Sequence, residues 1–573
     1  MKKIAFLMMI LALAAVVTCC SVEDPYSDYI SNAFVPNGMG GGAGSATAGS
    51  GELTSFTIDT DQTSAEPADA AAETFPDEED ALENNTFATE VSIDLSNPVA
   101  KTENGVEVTV RGGHVTANHG GVKQVCYVLT GTTTNGSFTV VGEKKYAVRL
   151  CGVSITNPDS AALNLLSGKR AFIVLADGTT NTLADGTGGT QKGALYCKGK
   201  LLFNGTGKLS VTGHTGNAIH SADYIVFRKG NNIYAKSTAN HGIKANDGIY
   251  INGGILNVEV SAAAAKGINC ESHIVVNGGR TTVITTGNGT YDSDEREAKG
   301  AAGIKTDSTF TLNAGVVRLK STGSGGKGLK ADGSANINGG QLCIITEGSQ
   351  YKSNNDTSSP KGIKTGGNLN ISGGSILVRT KGTGGEGIES KGVLTIADGT
   401  VQVAAYDDAV NSAKDMYIKE GTVTVVGSNN DGLDANGNMY IQGGTIVAFG
   451  AGGAESGIDT GEQYKLYITG GNIFGIGGRI DTNIGSTSQG IASTSGSVQA
   501  NGTVTVGSGS TTLATFTMPP YSYNSGTILV SAPSMKSGSS YTLSLGSTSQ
   551  TVTASTSVSS GMGGGGFPGG GRR

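Results

Sequence analysis

A phrase that returns about every 24 residues constrains this chain more than any other feature of it. The phrase opens on a small residue, continues with Ile, Leu or Val, and two places later takes a second small residue. An apolar-x-apolar pair, a Gly-Gly and a further apolar run follow. Anchored on its first small residue, it starts at Ala194, Ala218, Gly242, Gly267, Gly303, Gly328, Gly362, Gly387, Ala409, Gly432 and Gly457. The spacings are 24, 24, 25, 36, 25, 34, 25, 22, 23 and 25. A near-constant period of this length, with two longer turns, is the signature of a solenoid.

Each repeat contains about three short runs with period-two alternation, such as Leu369 to Ile371 and Ile376 to Val378. These are too short and too often broken by glycine for helices. Stacked coils satisfy one another's backbone hydrogen bonds and bury one continuous apolar column. The 92 glycines keep no three-residue period, which excludes collagen, and the regular apolar strands exclude a plain disordered chain. The predicted fold is therefore all-β, a right-handed parallel β-helix of about eleven or more coils, roughly 50 Å long at the spacing of paired strands.

Reading down the repeats tests this register. Leu195, Ile219, Ile243, Ile268, Ile304, Leu329, Ile363, Ile388, Val410, Leu433 and Ile458 form an unbroken apolar column. Two places further on, Cys197, Ala245, Cys270, Ala331 and Ala435 share a slot with Ser and Thr, so these cysteines read as packing groups. Asn252, Asn277, Asn313 and Asn338 align as an amide ladder.

The residue between the two inward columns should face solvent. It runs Tyr196, His220, Lys244, Asn269, Lys305, Lys330, Lys364, then Glu389, Asn411, Asp434, Asp459. The position before the anchor changes in step: His241, Lys266, Ala302, Lys327, Lys361, then Glu386, Asp408, Asp431, Ser456. Like charges about 5 Å apart repel by about 1 kcal/mol even in water. Asp407, Asp408, Asn411, Asn430, Asp431, Asp434 and Asp459, with Glu386 and Glu389, are accordingly candidate oxygen ligands for Ca²⁺. Protonated carboxyls or a solvated acidic face would also fit.

Lys244, Lys305, Lys330 and Lys364, flanked by Lys327 and Lys361, form a candidate track for a polyanion such as an acidic glycan. A solvated basic face is the alternative. The two long spacings are polar insertions at residues 287–301 and 347–360, carrying Tyr291, Arg296, Tyr351 and Lys352, placed to wall one side of that track. Tyr417, Tyr440 and Tyr467 recur on three consecutive coils as candidate sugar-facing rings, or as plain sheet surface.

Before the repeats, Lys2 and Lys3 precede a 14-residue apolar run, Ile4 to Val17, which has the length of a signal-peptide core. It ends at Cys19 and Cys20, either of which is a candidate for lipidation as in a bacterial lipoprotein. Residues 21–100 hold 16 Asp and Glu and no Lys or Arg, and read as a disordered acidic linker. The expected domains are thus a lipoprotein signal peptide at 1–20, that linker, a carbohydrate-binding β-helix at 101–490, a small antiparallel β cap at 491–557 and a flexible Gly-rich tail at 558–573. Residues 101–381 carry 30 basic and 18 acidic side chains, against 5 and 13 in 382–481, so the two ends of the rod should attract opposite charges.

From Tyr127 to Gly478 the chain resembles the bacterial carbohydrate-binding parallel β-helix family, calcium-binding surface proteins that bind cellulose or polygalacturonate and have a pectate-lyase-like fold. The phrases that carry the resemblance are LADGTTNTLADG (175–186), KGKLLFNGTGKLSVTG (198–213), HGIKANDGIYINGG (241–254), DDAVNS (407–412) and NDGLDANG (430–437). The resemblance implies carbohydrate as ligand and Ca²⁺ at Asp407, Asp408, Asn411, Asp431 and Asp434. Many repeats of the family have an acidic residue before Gly-Ile-Lys, where this chain has Lys or His, which leaves the ion count open. The expected protein is a monomeric, surface-exposed outer-membrane lipoprotein that binds an acidic or cellulose-like polysaccharide and no nucleic acid. A calcium-dependent polysaccharide lyase with Lys391 or Lys364 as base, and an adhesin or passive stalk, are the competing readings.

Overall fold

The small anchor residues are dictated by packing between coils. A β-carbon on Gly267 would fall 2.0 Å from Cγ1 of Val283 and 2.7 Å from the carbonyl oxygen of Gly303, and Gly362 stands in the same relation to Val378 and Gly387. The second glycine of each Gly-Gly has a positive φ, for example 81° at Gly254, 74° at Gly279 and 84° at Gly374, which turns the chain sharply at a position other residues enter only under strain. Small anchor and glycine corner together repeat one coil.

A computed structural model describes residues 56–557 apart from 462, 481 and 482, together with the backbone of Ala46–Ala48. The leader, Cys19, Cys20 and the segment 558–573 lie outside the described residues. The chain winds into a parallel β-solenoid of about 14 turns. Its three long sheets have 17, 16 and 16 strands. Sheet 1 contains the anchor strands, sheet 2 the apolar-x-apolar pairs and sheet 3 the strands after Gly-Gly. The turns beyond eleven lie upstream, where Ser137–Val141 and Leu163–Leu165 stack on Gly193–Cys197 without the recurring phrase.

The registers are those of the columns. Ile243 pairs with Ile268, Ile268 with Ile304 and Leu329 with Ile363. Every residue of the apolar column is at most 3% exposed. The amide ladder is continuous: Asn277 donates to Asn252, Asn313 to Asn277 and Asn338 to Asn313, each at 2.8 Å, and Ser372 donates to Asn338 at 3.0 Å. Cys197 and Cys270 are buried in the small slot with thiols that burial pushes up to about 12 and about 11, so they pack rather than react.

The acidic segment before the solenoid departs from its expected character as a free linker. Residues 56–87 run along the outside of the coils and residues 89–94 are already a strand of sheet 2. The carboxylate of Glu66 accepts the N–H groups of Gly230, at 2.8 Å, and of Gly254. Arg228 pairs with Glu73 and Glu83, both at 2.6 Å, and Arg170 with Asp80 at 2.7 Å. Thr74 exchanges hydrogen bonds with the side chain of Asn252 at the head of the ladder. Glu66, Glu73, Asp80 and Glu83 of this strap are matched to arginines and turn amides of the coil, and charge that is matched can be ordered.

The antiparallel strands after residue 490 extend sheet 3 and also cover its flank. Tyr521–Ser531 pairs antiparallel with both Asn472–Gly477 and Ile491–Val498. A separate four-stranded sheet, residues 503–553, belongs to an apolar cluster with Cys343, Ile345, Leu377, Ala404, Val426 and Val447, side chains on the outer surface of sheet 3.

Candidate functional site

The outward column of sheet 1 is continuous in space. Lys244, Asn269, Lys305, Lys330, Lys364, Glu389, Asn411, Asp434 and Asp459 pair in that order from strand to strand. Beside it runs Lys266, Ala302, Lys327, Lys361 and Glu386. The strands are short and rigid, so each side chain points where the register puts it.

The two insertions are hairpins. Thr290–Asp292 pairs with Glu297–Lys299, and Tyr351–Ser353 with Asp356–Ser358. They lean on each other, since Ala298 N–H donates to Asp356 at 2.6 Å and a β-carbon on Gly289 would press into the Tyr351 ring at 2.5 Å. Between them and sheet 1 lies a cleft of about 670 Å³. Seven lysines line it (266, 299, 305, 327, 330, 361 and 364) against four carboxylates, which makes it an anion-attracting cavity.

Some of these lysines are already paired. Lys305 and Lys330 share Asp332 at 3.2 and 3.1 Å. Lys299 holds Asp292 and Glu295, both at 2.8 Å. Lys361 meets Glu386 at 2.5 Å and Glu389 at 3.4 Å. Lys266 and Lys327 differ: their ammonium groups touch no carboxylate among the described residues. Lys266 donates to the carbonyls of Ala264 and of Gly300, the latter at 2.9 Å, and Lys327 to Gly325 O at 3.0 Å and Ser358 Oγ at 2.7 Å. Burial, reinforced by neighbouring lysines, brings both amines down to about 7. His241, which accepts the Lys266 backbone N–H at 3.0 Å, is driven by burial and by Lys266, Lys244 and Lys305 down to about 3.

Of the expected track, Lys305, Lys327, Lys330, Lys361 and Lys364 line one cleft. Lys244 stands outside it, paired with Glu271 at 2.8 Å. Lys266 belongs to the cleft although its sequence signal was no more than its place in the column.

The acid rungs divide. Glu386 and Glu389 are committed to lysines rather than to a cation, and three lysines around Glu389, led by Lys361, overcome its burial to hold its carboxyl at about 2. Below them, Asp408 accepts the Asp431 N–H at 3.0 Å and Asp431 accepts the Ser456 N–H at 2.6 Å. Asn411 donates to both Asp408, at 3.2 Å, and Asp434, at 3.0 Å. No lysine or arginine pairs with Asp408, Asp431 or Asp434 among the described residues. Burial, with the neighbouring carboxylates adding to it, raises them to about 7, 8 and 7 respectively. As placed, no three His, Cys, Asp or Glu side chains among the described residues lie close enough to hold one metal ion. The fit to a cation is therefore one of charge, not of a preformed cage.

Two further expectations change. Tyr417, Tyr440 and Tyr467 stack face to face, with centroids 4.6 and 4.9 Å apart and planes within 7°. Gly485 sits under the last ring, a β-carbon there falling 2.6 Å from it. The faces of Tyr440, and one face each of Tyr417 and Tyr467, are used on one another. Lys391 is bound to Glu389, which raises its amine and makes it a poor proton acceptor, and Lys364 also contacts Glu389, at 3.5 Å.

A family model described as carbohydrate-binding domain-containing protein matches residues 111–264 and 240–409, together more than half of the chain. Among solved structures the chain is similar to a polysaccharide lyase-like protein from C. thermocellum, determined as a gadolinium derivative, at 18% identity, with 62% of this chain and 92% of that one covered and a TM-score of 0.19. No curated protein matches the sequence.

Proposed function

The chain belongs to the carbohydrate-binding domain family, and from that premise we propose that it binds an acidic polysaccharide along the outer face of sheet 1. The observation that carries this reading is the cleft in which seven lysines face four carboxylates under two interlocked hairpins. A neutral glycan has no use for that excess of charge, whereas each carboxylate of an acidic one gains a charge-assisted hydrogen bond. Placement at the bacterial outer surface, through a lipid on Cys19 or Cys20, is part of the proposal and rests on the apolar leader.

A hard cation such as Ca²⁺ at Asp408, Asp431 and Asp434 is a second part. Its support is three carboxylates without a counter-charge, Asp408 and Asp431 buried and Asp434 half-buried, whose carboxyls their surroundings push up. The cation would offset their repulsion and lock adjacent coils.

The test is binding of polygalacturonate, a sulfated glycan and a neutral glucan, with calcium and with chelator. Acidic chains should bind, the neutral one should not, and affinity should fall as salt rises from 50 to 500 mM, a range over which the screening length shrinks from about 14 to about 4 Å. Equal binding of neutral and acidic chains would refute the proposal. Appearance of unsaturated, ultraviolet-absorbing products would make the protein a lyase instead.

A further inference from the structure

Lys266 and Lys327 lie one rung on either side of Ala302 in the column beside the lysine track. Their ammonium groups end on one patch of backbone. Lys266 reaches Gly300, and Lys327 reaches Gly325 and Ser358. Those three residues are in contact, since a β-carbon on Gly300 would fall 1.9 Å from Gly325 O and 3.1 Å from Ser358 Oγ. Gly300 ends the first hairpin and Ser358 the second. The hairpins therefore do more than wall the cleft, for their bases gather the two amines.

An ammonium group has three N–H donors. Each of these has two acceptors among the described residues, which leaves one donor apiece in a cavity lined by other cations. The methyl group of Ala302 keeps the rung between them short. We infer that Lys266 and Lys327 form a seat for a single carboxylate or sulfate group of the bound glycan, its two oxygens taking the two remaining donors. This rests on the acidic-polysaccharide reading and assigns the residues that hold its charge most closely.

The seat has a signature that an ordinary basic patch lacks. Its two amines lie near 7 in the free protein, so at pH 8 they are largely neutral. An anion between them favours the charged forms, and binding must take up protons. The surroundings do not supply this effect. From sheet 1, His241 stays neutral, Lys305 and Lys330 share Asp332, and Lys361 and Lys364 face Glu389. From the hairpins, Lys299 is held by Asp292 and Glu295, Asp356 accepts the N–H groups of Ala298 and Thr357, and Glu297 is among the residues lining the cleft.

The experiment is titration calorimetry of the full chain with a galacturonic acid oligomer and with a sulfated oligosaccharide, at pH 6 to 9, in buffers of different ionisation enthalpy. Affinity should drop at least about tenfold between pH 6 and 8.5, with proton uptake at pH 8. Lys327→Arg, whose charge does not titrate in this range, should keep binding at pH 8.5 and shrink the uptake. Lys327→Met, checked by circular dichroism for its fold, should weaken binding about tenfold at pH 6 and hardly at all at pH 9. Binding that is flat with pH and releases or takes up no protons would overturn the seat and leave the acidic-glycan reading standing. No binding of either anion at pH 6 would remove both.

Discussion

Glu389 and Asp434 stand two rungs apart on one outward column, yet their carboxyls move in opposite directions, to about 2 and about 7. Glu389 is buried and Asp434 half-buried. What differs is the company: lysines surround Glu389, while Asp408, Asp459 and Glu386 press on Asp434. For Asp408, Asp431 and Asp434 the folded form binds protons that the unfolded chain has released above about pH 4, so their contribution favours folding at low pH and is lost as pH rises through 7 to 8. In chelator, the melting temperature should therefore fall from pH 5 to pH 9. Asp431→Asn, which keeps an oxygen for the Ser456 N–H, should flatten that slope, and calcium should restore stability at pH 8 in the unmodified chain. A slope unchanged by the substitution would place the titrating groups elsewhere. Glu389 has the opposite sign, its support being present above about pH 4.5 and lost as pH falls towards 2. Glu389→Gln leaves Lys361, 6% exposed, with Glu386 alone. It should cost ~2 kcal/mol in urea unfolding, less than stranding a buried charge outright.

At the scale of elements, the strap of residues 56–87 makes the most specific demand. If Glu66 holds the turn amides of Gly230 and Gly254 as placed, Glu66→Ala should speed hydrogen exchange at those two N–H groups about tenfold, the loss of ~1 to 2 kcal/mol from a charged hydrogen bond, and leave the ladder amides of Asn277 and Asn313 protected. A free tether would show no change at either glycine. The strap was not legible in the sequence because its order comes from partners far along the chain, Arg170 90 positions from Asp80 and Arg228 155 positions from Glu73, and from backbone N–H groups that composition cannot count. The coil was legible for the reason that makes it stable: each rung repeats the same contact with the next, so Ile243 and Ile268 had to look alike. The tyrosine columns were legible in position but not in use, because whether three aligned rings face a ligand or one another depends on a tilt that spacing does not encode. The lysine cleft was half legible, its track readable at Lys305, Lys330 and Lys364, its depth set by two hairpins whose mutual packing joins Ala298 to Asp356.

For the whole molecule, the outer face of sheet 3 is the surface that the antiparallel strands after the coil cover. Leu342, Cys343, Ile344 and Ile345 are apolar on both faces of one strand, the pattern of a sheet buried on both sides. Ile344 fills the coil and Cys343 and Ile345 lie under the antiparallel strands with Leu377, Ala404, Val426 and Val447. That flank, and the last parallel strand of sheet 3 at Asn472–Gly477, are the two places where a solenoid without its antiparallel strands would offer apolar surface and open backbone to another copy. Removing residues 491–557 should thus produce soluble aggregates that bind a hydrophobic dye. The truncated chain should keep its affinity for an acidic glycan where it stays dispersed, because the lysine cleft lies on sheet 1 and shares no residue with the apolar cluster. A milder form of the same test is Phe516→Ala, fully buried in that cluster. It should destabilise by ~3 to 5 kcal/mol, and if unfolding then splits into two steps the antiparallel region melts ahead of the coil. A truncated chain that remains monomeric with an unchanged melting curve would mean that the coil protects its own edge, and that sheet 3 tolerates its apolar flank in water.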